Sequence, residues 1–121
     1  MCSLSKEMTP PTVSVDTVKT KINDDSLRLV DVRREEEYNQ GHIPNAVNLP
    51  LASLLSGDSP ESAVKLFEEM GIGDNTEVIV YDDTFGALAS RIAWTLQYIG
   101  HKNVALLEVT YSQWKDLGLK T

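Results

Sequence analysis

One cysteine, Cys2, stands in the whole of this 121-residue chain, in its polar first stretch. A single thiol excludes an internal disulfide and fits a reducing compartment, so a cytoplasmic setting is expected. No apolar run comes near the roughly 20 residues that a membrane-spanning helix needs. The first residues lack both the basic and the apolar region of a secretory signal. Cations are scarce: 11 Lys and Arg against 18 Asp and Glu leave a net charge of −7. With no basic cluster, neither nucleic acid nor an anionic membrane surface is an expected partner. Repeats, low-complexity tracts and interdomain linkers are also missing, and the length suits one domain with a real core.

What is present is an alternation of strand-like and helix-like segments. Residues 1–11 read as a flexible leader closed by Pro10-Pro11, and 12–121 as the folded domain. A short strand is expected at 12–15 and a helix over 16–22, with Ser14 or Asp16 as its cap. Strands follow at 27–32 and 46–49, with one or two helical turns over 34–38 between them. Ser59 and Pro60 mark a strong helix start, with Val64, Leu66, Phe67 and Met70 for its buried face and Gly71 as terminator. The segment 77–81 is a buried strand, 87–99 the next helix ended by Gly100, 104–107 a strand and 111–117 a last helix. Strands separated by helices imply a mostly parallel sheet covered on both faces, with ligands gathering at the carboxyl ends of the strands. Two exits stand out: 27–32 delivers Asp31 and Arg33, and 77–81 delivers the loop Asp82-Asp83-Thr84-Phe85-Gly86, followed by Ala87 and Leu88. If those strands are neighbours, both sets share one crevice. A short loop at a helix N-terminus can aim several N–H groups at one point, which suits an anion or a thiolate.

Leu29-Val30-Asp31-Val32-Arg33, Glu37-Tyr38, Gly41-His42-Ile43-Pro44-Asn45-Ala46 and Asn48-Leu49-Pro50 resemble the first signature of the rhodanese (sulfurtransferase) family. Val80 to Gly86 and Gly100 to Leu107 resemble its second half. The resemblance implies a three-layer α/β fold, a five-stranded, mainly parallel sheet with helices on both faces. It also implies a Cys-x-x-Gly-x-Arg loop, whose cysteine carries sulfur as a persulfide. Here Asp83 stands at the cysteine position and Leu88 at the arginine position; moving the frame by one residue puts Asp82 there instead. The Tyr-Asp-Asp-x-x-Gly form is similar to the non-catalytic first domain of two-domain thiosulfate and mercaptopyruvate sulfurtransferases. Glu108-Val109-Thr110 replaces the family's usual Asp-Gly-Gly.

Each singled-out residue also has a plainer reading. Asp83 is expected to cap the 87–99 helix, and Asp31 with Arg33 to brace the loop. Asp82 and Asp83 lack a third ligand at a recognisable spacing, so no metal is expected, and no cofactor either. His42 is read as a structural hydrogen-bonding group, His101 as a helix end cap, and Trp94, Leu96 and Tyr98 as helix packing. Glu35-Glu36-Glu37 is a solvated helix start favoured by the dipole. Cys2 in a tail has no preformed activation. Two functions follow: a domain inactive alone that serves as a structural or interaction module, or a sulfurtransferase whose cysteine comes from a second domain or partner chain. A cysteine-bearing rhodanese domain or another protein is therefore the expected kind of partner. A protein phosphatase relative would need the same missing cysteine.

Overall fold

In the computed structural model, which describes residues 11–50, 60–73, 75–84, 86–101, 103–119 and 121, strands and helices alternate. They are β1 (Thr12–Val13), α1 (Val15–Lys21), β2 (Leu27–Asp31), α2 (Glu35–Gln40), β3 (Val47–Asn48), α3 (Pro60–Glu69), β4 (Glu77–Tyr81), α4 (Ala87–Tyr98), β5 (Val104–Leu107) and α5 (Tyr111–Asp116). The leader with Cys2, the cap at Ser59 and Phe85 of the loop lie outside the described residues.

The sheet has five strands in the order β1-β5-β4-β2-β3, with every neighbouring pair parallel. β2 and β4 are paired along their length, from Leu27 with Glu77 to Asp31 with Tyr81. The chain leaves β2 toward β3 on one side and β4 toward β5 on the other. The loops after β2 and β4 therefore diverge at this junction and leave a crevice outside the strand ends.

The period-2 geometry of a strand sorts the apolar side chains onto two faces. Val30, Val32, Val78 and Val80 meet Phe67 of α3 and Ala89, Ile92, Ala93 and Leu96 of α4. Leu27, Leu29, Ile79 and Tyr81 meet Val18 of α1 and Tyr111 and Trp114 of α5. α1 is capped by Ser14, which accepts from Thr17 N–H. α4 ends at Gly100, whose φ of +100° suits glycine. There Gly100 N–H bonds Gln97 O at 3.1 Å and His101 N–H bonds Leu96 O at 2.9 Å, a paired closure that satisfies the last carbonyls. His101 Nε2 lies 2.8 Å from Thr76 O.

Two packing expectations are corrected. Trp94 and Tyr98 are 42% and 62% exposed and stack on each other, ring centroids 5.3 Å apart. The buried stripe of α4 runs through Ala89, Ile92, Ala93 and Leu96, and the 3.6-residue period turns positions 94 and 98 to the opposite side. Val64 is likewise 38% exposed, because Phe67, with Leu66 and Met70 beside it, supplies the inward face of α3.

Candidate active-site crevice

Asp82 directly follows β4. Continuing the strand's alternation, it falls on the Val78 and Val80 side, where α4 begins, while Asp83 falls on the Ile79 and Tyr81 side, where α5 lies. This parity decides the chemistry of the loop. The Asp82 carboxylate, only 3% exposed, accepts from Thr84 N–H (3.0 Å), Gly86 N–H (3.0 Å), Leu88 N–H (2.9 Å) and Ala89 N–H (2.8 Å). The Thr84 hydroxyl adds a fifth bond at 2.8 Å. Gly86, with φ +95°, takes the left-handed turn that brings its amide onto Asp82. Ala87 N–H is taken by Thr84 O at 3.4 Å. The first-turn donors of α4 are thus satisfied from within the chain. Burial pushes the Asp82 carboxyl up, but the bonds from Ala89, Thr84 and Gly86 outweigh it and hold the group below the ordinary carboxylate range.

Asp83 does not cap α4, contrary to the expectation from sequence. It accepts from the N–H and hydroxyl of Ser112 at 2.9 and 2.7 Å. Tyr111 N–H donates to Asp82 O at 2.9 Å, and Gln113 N–H to the Thr110 hydroxyl at 3.1 Å. The first three amides of α5 are therefore held by Asp82, Asp83 and Thr110. Asp83→Ala is expected to cost only about 0.5–1.5 kcal/mol in urea unfolding, because the Ser112 contact is near solvent. A loss as large as that of an Asp82 variant would contradict this division of labour.

Asp31 and Arg33 both project to the α5 side and form a buried pair, 0% and 5% exposed. Arg33 Nη2 and Nε lie 2.7 and 3.0 Å from Asp31 Oδ2 and Oδ1, and Arg33 N–H reaches Oδ1 at 2.9 Å. The Tyr81 hydroxyl donates to Asp31 Oδ2 at 2.7 Å and accepts from Ile43 N–H at 3.1 Å. Nη2 also donates to Gly41 O at 2.7 Å, and the guanidinium lies 3.8 Å above the Tyr111 ring. Burial pulls the Arg33 guanidinium down, yet the bond to Asp31 and its charge carry it above its ordinary value. Burial and the Asp31 charge push the Tyr81 phenol up. Asp31 is thus a brace beneath the crevice, while Arg33 reaches its wall.

A cleft of about 300 Å³ opens between the two strand exits, walled by Arg33, Arg34, Glu37, Asp83, Thr84 and Leu88. The structure brings the loop and Arg33 together here, with Leu88 on the same wall. His42 stacks on Tyr38 at 3.9 Å, with Nδ1 3.0 Å from Tyr38 O, and lies outside this wall. Glu108 Oε2 accepts from Val15 N–H at 3.0 Å, so it too is used structurally. Among the described residues no group of three or more acidic, histidine or cysteine side chains has metal-binding geometry.

A family model of the rhodanese-like domain matches residues 14–117. The sulfur carrier protein TtuD of Thermus thermophilus is 30% identical over 113 residues, which cover 88% of this chain and 40% of that protein. The thiosulfate sulfurtransferase of Azotobacter vinelandii is 27% identical over 113 residues, 87% of this chain and 42% of that protein. The chain thus spans about two fifths of the length of these relatives. The fold superposes on SseA from Escherichia coli, a 3-mercaptopyruvate sulfotransferase, with a TM-score of 0.73 at 22% identity, covering 84% of this chain and 42% of that one.

Proposed function

The chain belongs to the rhodanese-like domain family, and on that premise we propose that it is a non-catalytic member, inactive alone and serving as a structural or interaction module. Sulfane sulfur transfer needs a thiolate that attacks the donor and then holds the sulfur as a persulfide. The observation that carries the reading is the Asp82 carboxylate, which occupies the amide cradle at the start of α4. A carboxylate forms no persulfide, and its charge repels an anionic donor such as thiosulfate. A second reading is favoured by the greater length of relatives named as sulfurtransferases. In it, this domain supplies part of a crevice whose cysteine belongs to another domain or chain, and a cysteine-bearing rhodanese-like domain is the partner.

The isolated chain is expected to form no thiocyanate from cyanide with thiosulfate or 3-mercaptopyruvate beyond a heat-denatured control. Thiocyanate formation that survives Cys2→Ala would overturn the proposal; formation abolished by Cys2→Ala would move sulfur carriage to the leader. The cradle itself is tested by Asp82→Cys in a Cys2→Ala background. Its thiol is expected to titrate below the roughly 8.5 of a free cysteine, because the same amides would face the thiolate. Thiolate absorbance against pH measures it, and a value at or above 8.5 would show that the amides do not converge on a thiolate.

A further inference from the structure

At the other end of the molecule, α3 and α4 leave an open groove of about 870 Å³ lined by Glu61, Val64, Lys65, Glu68, Tyr98 and Ile99. It shares no lining residue with the crevice. It runs into a second hollow of about 600 Å³, which Val64, Glu68 and Ile99 also line. Large apolar side chains remain in water along it: Val64, Tyr98 and, stacked on Tyr98, Trp94. Exposed aromatic rings beside an apolar floor are the composition of a binding surface rather than of an ordinary solvated helix pair.

The charges at the rim select the occupant. Glu61 and Glu68 flank the floor on α3, one helical stripe apart at i and i+7, with Lys65 as the cation among the lining residues. Neither glutamate is in an ion pair among the described residues. A second copy of this chain, at −7, would set the acidic rims against each other. We infer that the α3–α4 groove docks a cationic protein segment: an amphipathic helix that lays apolar side chains against Val64, Tyr98 and Trp94 and places lysines or arginines against Glu61 and Glu68. This inference does not depend on how the loop at Asp82 is read.

The test uses the whole chain and a synthetic helical peptide of about five turns, with leucines on one face and lysines on the other. Trp94 is exposed whereas Trp114 is 2% exposed, so a blue shift of tryptophan emission on titration reports Trp94 entering an apolar contact. The expected result is saturable binding that Tyr98→Ala weakens by roughly tenfold or more, as for a central aromatic anchor. Glu61→Lys with Glu68→Lys should weaken it similarly and flatten its loss with added salt. These positions are at the surface, so the variants fold; unchanged circular dichroism checks this. No shift with the lysine peptide overturns the inference. So does equal binding of a glutamate-faced peptide, equal binding of a scrambled peptide, or undiminished affinity of both variants. Sedimentation showing a dimer broken by Tyr98→Ala would assign the groove to a second copy and also overturn it.

Discussion

Asp31→Ala is expected to remove about 3–5 kcal/mol of stability, the cost of leaving a buried cation without its partner. The variant strips Arg33 of its bidentate carboxylate and the Tyr81 hydroxyl of its acceptor, at a site where Asp31 is 0% exposed. Water cannot replace the lost oxygens without opening the packing of Tyr81 and Tyr111, whose rings lie 6.2 Å apart. The double variant Asp31→Leu with Arg33→Met is expected to be less damaged than Asp31→Ala alone, since it removes the orphaned charge together with its partner. Urea midpoints on the three chains decide this. A double variant less stable than the single would show that the pair contributes net attraction beyond its desolvation cost.

Asp82→Ala is expected to cost about 2–4 kcal/mol, more than an ordinary helix cap, because one carboxylate serves four backbone amides and a hydroxyl. The effect carries a pH signature. The folded-state acidity of Asp82 is shifted below its ordinary value by hydrogen bonds that overcome burial. Its contribution is therefore complete above the unfolded value of roughly 3.9 and is lost as pH falls through the lower folded value. The parent should lose stability steeply below about pH 4, and Asp82→Ala should show a flatter acid limb. Parallel acid limbs in the two chains would remove Asp82 from the linkage.

The parallel sheet covered on both faces was legible because strongly apolar strands separated by helices imply it, whereas the order β1-β5-β4-β2-β3 was not. The strands at 77–81 and 104–107 fall where the apolar runs place them. The division of roles between Asp82 and Asp83 departs from the capping expectation, although its signal is present in the strand pattern. Counting alternate positions from Val78 and Val80 puts Asp82, not Asp83, on the face that receives α4. The attachment of Asp83 to Ser112 joins residues 29 apart in sequence. No local pattern encodes it, since it needs β4 beside β5 and α5 packed back over the Tyr81 face. Trp94 and Tyr98 depart from the packing expectation because an aromatic in a helix reads as core until the whole buried stripe, Ala89, Ile92, Ala93 and Leu96, is traced.

Consecutive aspartates anchored to two different helices restrict the mutational routes open to this chain. A thiol acquired at position 82 exchanges two carboxylate oxygens that share four amides for a single sulfur, weakening the anchorage of α4 in the same step. Gained nucleophilicity and lost folding free energy are thus bound to one codon. A lineage or a laboratory selection moving toward sulfur carriage would need stabilising substitutions elsewhere first, so that the intermediate stays above its folding threshold. Position 83 is the freer of the two, because its bonds to Ser112 lie near solvent. Sequence drift should therefore be tolerated there sooner than at its neighbour.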